Sequence, residues 1–189
     1  MVKLTDFDKY KLEGMICSSR KEYEKAIKEI NYLEVCQSQL DYMDDEDMYE
    51  LAKEIMPYKF NNTNIKQNKT SKYSYVLVDN TKIYFGKNIK QNDDISFKLS
   101  KKEHFYFHIK DYHGSHVVIA SDNPTNEMKL VAAEMCLILS NKTSGDVQYT
   151  QIKNIKKGPE LGLALLNKYE LITLHSVRDT TYELLKKHH

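Results

Sequence analysis

Apolar residues recur at alternating spacings of three and four near the start of the chain. Ile16, Ser19, Tyr23, Ala26, Ile30, Leu33, Gln37 and Leu40 line one seam through positions 8–43, separated mainly by Lys, Glu, Arg and Ser. The pattern predicts one long helix whose seam requires a partner helix. Gly14 weakens its first turns. Asp44-Asp45-Glu46-Asp47 breaks the period. Acidic residues suit a helix N-terminus through capping and the macrodipole, and the spacing of an EF-hand loop is absent. A second helix is therefore expected over 46–56, with Met48, Leu51, Ala52 and Ile55 on one face and Pro57 ending it. Positions 1–58 read as a helical hairpin, a coiled-coil arm.

The period changes after a polar stretch. Positions 59–72, rich in Asn and Lys, read as a linker and a domain boundary. Short β-prone runs follow at 73–78, 82–85, 95–99, 104–109 and 117–120, with Asp79-Asn80 as a hairpin turn. Asn123-Pro124-Thr125 opens a helix over 126–141 that is apolar on most sides and predicted to be the buried spine of the domain. Strands at 147–152 and 163–174 and a short helix at 179–187 complete a domain over 73–189. The fold class is α+β: a helical hairpin, then an antiparallel or mixed β-sheet packed on a central helix.

Charge sharpens this division. The net charge is +1, but residues 1–60 hold 9 Lys and Arg against 14 Asp and Glu, whereas residues 61–189 hold 19 against 13. The C-terminal part is the one fitted to a polyanion. A hydrophobic share of 41% and a charged share of 29% describe a folded chain. No apolar run reaches the about 20 residues of a membrane span, and the start of the chain lacks the apolar stretch of a signal peptide. Cys17, Cys36 and Cys136 lack metal-ligand spacing and read as free thiols of a cytoplasmic protein.

Two polar runs, GKNIKQND at 86–93 and HIKDYHGSH at 108–116, stand between β-prone segments. Lys87 and Lys90 with Asn88, Gln91, Asn92 and Asp93 suit phosphate contact and base-edge hydrogen bonding; a solvated hairpin loop is the plainer alternative. The spacing is not that of a phosphate-binding P-loop. In the second run Lys110 adds a cation, while Asp111 and Ser115 are expected to hydrogen-bond loop backbone and Gly114 to supply an unusual dihedral. His108 and His116 either donate to phosphate or satisfy the loop. A metal site or a Ser–His–Asp triad from His108, Asp111, Ser115 and His116 needs a convergence that local sequence does not supply. Tyr106 is a candidate exposed platform for a base, with burial against the helix as its alternative. Lys153, Lys156 and Lys157 form a second basic cluster able to extend the same face. The expectation is that 86–93 and 108–116 fold side by side into a cationic, amide-rich patch open to solvent, with no catalytic residue, metal or cofactor.

The runs GKNIKQND and HIKDYHGSHVVI, the segment around Ala132-Ala133-Glu134, and VQYTQIKNIKK occur in one order. Together they resemble the NFACT-R domain of the RqcH/NEMF family, whose bacterial members are often called fibronectin-binding proteins. The likeness runs from about Tyr75 to Ser176, and YLEVCQSQLDYMDDEDMYELAKEI resembles the end of the family's middle coiled coil. The resemblance implies ribosome-associated quality control. Full-length members bind the large ribosomal subunit and tRNA and direct C-terminal tailing of stalled chains. On matching positions, Gly86, Lys87, Asn88, Gln91, Asn92, Asp93, His108, Lys110, Asp111, Gly114, Ser115 and His116 would form the family's RNA-binding surface. Tyr106-Phe107 stands where the family usually has Trp, and the family's N-terminal domain has no counterpart here. The implied function is an RNA- or ribosome-binding module, with partners in tRNA, rRNA and the large subunit and a dimer possible through the helical arm. The alternatives are a fibronectin- or protein-binding adhesin and, less favoured, a metal-dependent nuclease or hydrolase.

Overall fold

The computed structural model describes residues 6–56 and 73–188. Helix α1 spans Asp6–Gln39, 34 residues. A 3-10 turn at Leu40–Tyr42 leads to α2, Asp45–Ile55. The acid cluster caps α2 as expected. Asp47 N donates to the Asp44 carboxylate at 2.8 Å, and the Asp44 N–H donates to Asp47 Oδ2 at 3.4 Å.

The two helices form a hairpin of unequal arms, joined where Tyr32 donates to Glu54. At about 1.5 Å per residue, α2 is a third as long as α1 and leaves most of the seam uncovered. Ile16 is 59% and Tyr23 67% exposed, and Ile30, Leu33 and Leu40 are also exposed. What α1 buries is a different stripe at its end: Val35, Cys36 and Gln39. The linker expected at 59–72 and the stop at Pro57 lie outside the described residues.

The strands are β1 Tyr75–Val78, β2 Thr81–Phe85, β3 Phe105–Ile109, β4 Val117–Ile119, β5 Gly145–Gln151, β6 Ile155–Lys157, β7 Ala164–Leu166 and β8 Glu170–Leu174. Six of them form an antiparallel sheet in the order β1-β2-β4-β3-β5-β8, while β6 and β7 form a separate antiparallel ribbon. The Asp79-Asn80 turn has φ of 48° and 61°, the left-handed pair that matches the strand twist in a two-residue hairpin.

The remaining helices are α3 Ile89–Asp94, α4 Asn126–Ile138 and α5 Asp179–Lys186. Thr125 caps α4 by accepting from Met128 N at 3.2 Å. The helix stops three residues before the expected 141. Asn141 turns left-handed (φ 55°) while Lys142 N donates to Leu137 O at 2.9 Å.

Strand alternation sends side chains to both faces, and both are covered. Ile83, Phe85, Phe107, Ile109, Val117 and Ile119 pack on α4, which is the spine as predicted. Tyr106 and Val118 face the other way, onto Ile95, Ile155, Phe97, Leu99 and Leu166.

Two sequence expectations change here. Positions 95–99 are not a strand. They form a π-helical turn, Ile95–Leu99, continuing α3. The alternation of Ile95, Phe97 and Leu99 imitates a strand, but α3 is already nucleated by its Asn88 cap, and the turn is held by the Lys98–Asp94 ion pair and Ser100 Oγ donating to Ile95 O at 2.6 Å. The run 163–174 is two strands in different sheets, separated where Asn167 N donates to Asn154 O at 3.0 Å.

Candidate functional site

The two polar runs do fold together. Gly86 N donates to His116 O at 3.1 Å, His116 N donates to Asn92 Oδ1 at 2.9 Å, and His116 Nδ1 lies 3.1 Å from Asn92 O and 2.8 Å from Ser96 Oγ. Gly86 is required by this approach: a Cβ there would stand 2.3 Å from Asn92 Oδ1 and 2.8 Å from Asn92 N. Asn88 accepts from Gln91 N at 2.8 Å through its Oδ1 and so caps α3.

The predicted open patch is closed. Lys87 is 2% and His116 3% exposed, and Asn88, Asp93 and Ser115 are also buried. The cover is the acidic base of the arm. Lys87 Nζ donates to Asp47 Oδ2 at 2.7 Å, Gln91 Nε2 donates to Asp47 Oδ1 at 2.6 Å, Ile89 N donates to Glu54 Oε2 at 3.0 Å, and Lys90 Nζ donates to exposed-side Glu50 at 3.4 Å. Gln39 Nε2 donates to both Ser115 Oγ and Leu139 O at 2.9 Å. His188 Nε2, given no role by its sequence context, lies 3.0 Å from Lys87 Nζ. The negative arm and the positive domain thus meet within the chain, and two of the lysines expected to hold phosphate are paired to the arm's carboxylates.

Three further expectations are corrected. Tyr106 is not a platform in solvent: it is 1% exposed because the π-helical turn and the ribbon cover its face of the sheet. Lys157 does not join a free cluster: it donates to Asp93 at 2.7 Å. Gly114 is not the residue of unusual dihedral in its loop. Asp111 takes that place (φ 54°) and is exposed, while Gly114 gives room for Ser140 Oγ and Ile109 Cγ2, which a Cβ would meet at 2.4 and 2.8 Å. Ser115 is bonded to Gln39, not to a histidine, so no triad assembles. Among the described residues no group of three His, Cys, Asp or Glu is placed to hold a metal ion.

What remains open is a cleft of about 460 Å³. Its walls are the end of α1 (Asn31, Tyr32, Gln39), the first run (Lys87, Asn88, Asn92), the second (His108, Gly114, His116) with Tyr106 of β3 just before it, and the β6–β7 turn (Leu161, Gly162). Sequence reading found the second and third walls. It missed α1 and the β6–β7 turn, which come from more than 40 residues away and carry no local mark beyond Gly158 and Gly162 bracketing a turn.

His108 and His116 meet edge to face at 5.4 Å between ring centroids, and Tyr106 stands 5.0 Å from His116 and 6.4 Å from His108. Burial pushes the imidazole of His108 down to about 4 and that of His116 down to about 3. Both are neutral at physiological pH and are not phosphate-binding cations.

Unpaired positive charge is found elsewhere in the same domain. Lys101, Lys102, Lys153 and Lys156 are exposed, and none is in an ion pair among the described residues. Lys153 N donates to Lys102 O at 3.0 Å, which fixes the 3-10 turn Ile152–Asn154 against the loop before β3. Lys110 is half-buried with Asp111 at 3.9 Å.

Residues 72–167 match the family model for the NFACT protein RNA binding domain. The chain belongs to this family. Among curated proteins it is 32% identical to the Rqc2 homolog RqcH of Streptococcus pneumoniae over 133 residues, covering 68% of this chain and 24% of that protein. It is 27% identical to the Rqc2 homolog RqcH of Bacillus subtilis, covering 95% of this chain and 34% of that protein. The chain thus spans about a quarter to a third of the length of these relatives. Among solved structures it is similar to the C-terminal part of the fibronectin/fibrinogen-binding protein of Streptococcus suis, at a TM-score of 0.68 and 25% identity over 94% of this chain and 76% of that one. The matched span, 72–167, contains both polar runs and the four lysines but not the α1 wall of the cleft, and the description of that family is RNA binding.

Proposed function

We propose that this chain is an RNA-binding module that acts on the large ribosomal subunit and tRNA as the C-terminal part of a ribosome-associated quality control factor. One observation carries the reading: the span that matches the RNA-binding family contains both polar runs, which converge on one cleft, and also four exposed lysines that have no ion-pair partner among the described residues. Lys101, Lys102, Lys153 and Lys156 supply phosphate contact. The cleft supplies recognition. Half-buried Lys110 and exposed Asp111 in the second run, and Lys90 where its exposed pair with Glu50 yields, add to the same surface, whereas Lys87, Gln91 and Asp93 set its geometry from inside. We read the module as one that binds and does not cut: His108 and His116, pushed down to about 4 and about 3 by burial, are weak bases near pH 7, and Ser115 is bonded to Gln39 rather than to either of them.

Affinity for tRNA or ribosomal RNA should fall steeply with salt, with a log–log slope of about −3 if four lysines each release a counterion from RNA. Replacing Lys101, Lys102, Lys153 and Lys156 by Glu should abolish binding with native circular dichroism. Unchanged affinity in that variant would remove the surface.

A protein-binding reading has one observation of its own: Leu161, Leu163, Leu165, Tyr169 and Leu171 are exposed along the β6–β7 turn, β7 and β8. The Streptococcus suis relative is described as fibronectin/fibrinogen-binding. Binding to fibronectin that ignores salt and is lost on Leu165→Glu would favour this second reading.

A further inference from the structure

The cleft has a chemistry that phosphate binding does not explain. Its charged lining residues are Lys28 and Lys87 against Asp111 and Glu160, and Lys87 is already tied to Asp47 at 2.7 Å. The rest is rings, amides and backbone, with aliphatic side chains such as Val35, Ile89, Leu161 and Leu163 between them. We infer that the cleft holds one unstacked nucleobase of a single-stranded RNA, taken between uncharged rings and amide groups while the lysines outside hold the strand. This inference rests on the RNA-binding reading above and deepens it.

Three observations support it. The volume, about 460 Å³, falls among small-molecule sites of about 300–1,000 Å³ and excludes a duplex. The nitrogen Nδ1 of His116 is occupied by Ser96 and the Asn92 carbonyl, and the rings of His116 and His108 also bond the backbone of Gly162 and Gly114. His116 is itself buried, so the ring surface left to a ligand is that of half-buried His108, with Tyr32 and Tyr112 on the same lining, uncharged at neutral pH and suited to stacking. The third observation is an orphan. Asn88 is 94% buried, by its 6% exposure, on the cleft wall; its Oδ1 caps α3, and its Nδ2 has no hydrogen-bond partner. A buried amide donor without an acceptor is costly, and a base-edge carbonyl or ring nitrogen is an acceptor of the right kind. Leu161, 55% exposed at the lip, would cover the base from the β6–β7 turn.

The test titrates the full chain with a 12-nucleotide single-stranded RNA, its blunt duplex, the same strand with abasic nucleotides, and the four free nucleoside monophosphates. Two variants accompany it. Asn31→Trp fills the cleft from a half-buried position on α1, and Asn88→Ser keeps an oxygen for the α3 cap while removing the amide donor. The single strand should bind at least tenfold more tightly than duplex or abasic strand, both variants should lose that margin, and the salt slope should stay as in the unaltered chain. Imidazole NMR signals of His108 should move with the single strand and not with the duplex. The abasic strand tests the idea on the ligand side, so a variant that folds poorly does not decide the matter. Equal affinity for the intact and abasic strands, with steep salt dependence retained, overturns the base pocket and leaves the RNA-binding reading standing. No RNA binding under any condition overturns both. Tight binding of a free monophosphate without RNA binding overturns the assignment to RNA.

Discussion

Lys87 shows why residue type alone misplaces function. Its neighbourhood, Gly-Lys-Asn-Ile-Lys-Gln-Asn-Asp, has the composition of a phosphate loop, yet its ammonium is 99% buried against Asp47, by the 1% exposure of its side chain. Removing one partner of such a pair strands the other charge. Lys87→Met should therefore destabilise the fold by about 3–5 kcal/mol, read as a drop in the urea midpoint, while Lys90→Met on the exposed pair with Glu50 should change it by less than about 1 kcal/mol. His108 and His116 make a second prediction at this scale. Their folded values, about 4 and about 3, lie below the ordinary 6.5, so below that pH the unfolded chain binds more protons than the folded one. Their contribution is fully present above about pH 6.5 and is lost as pH falls toward 4, at up to about 1.4 kcal/mol per histidine per pH unit. His116→Gln should flatten the fall in unfolding free energy between pH 6.5 and 4.5. An unchanged slope would mean that the ring is not neutral in the fold.

Among elements, α1 is the one whose partner is missing from the described residues. Its seam, Ile16 to Leu33, is exposed over several turns, and an apolar stripe at heptad spacing seeks another helix. Pairing of two arms predicts a dimer in sedimentation equilibrium that weakens markedly in Ile16→Glu/Ile30→Glu, with the melting temperature of the sheet domain unchanged. A strict monomer at high concentration would show that the seam serves another partner. The π-helical turn at Ile95–Leu99 carries the opposite lesson. Its period-two pattern resembles that of β3, but the sheet face it covers is already full of strands in order, and a capped helix just upstream delivers the chain above that face instead of into it.

At the scale of the whole molecule, the charge asymmetry between arm and domain has two outlets. Part of it is internal: Asp47, Glu50 and Glu54 dock on the first polar run. The remainder includes Lys101, Lys102, Lys153 and Lys156, exposed and without an ion-pair partner among the described residues. Screening should act on these two parts differently, because a buried pair is screened far less than an exposed strip. Raising salt to about 0.5 M should release RNA while leaving the unfolding midpoint nearly unchanged; a parallel loss of stability would mean that the arm–domain contact is itself solvent-exposed.

The sequence by itself determined what depends on neighbours close along the chain. The period of α1, the Asp44 cap, the left-handed Asp79-Asn80 hairpin, the apolar α4 and the polar runs were all legible, because each reflects local backbone preference or a repeat within a few turns. The family was legible too, since its motifs lie in order. Tertiary structure decided which face of each element met another. It turned Tyr106 inward, gave Lys87 to Asp47 and Lys157 to Asp93, and built the cleft from four segments far apart in sequence. Burial and pairing are properties of the assembled chain, and no spacing along a strand or helix encodes which distant carboxylate will arrive.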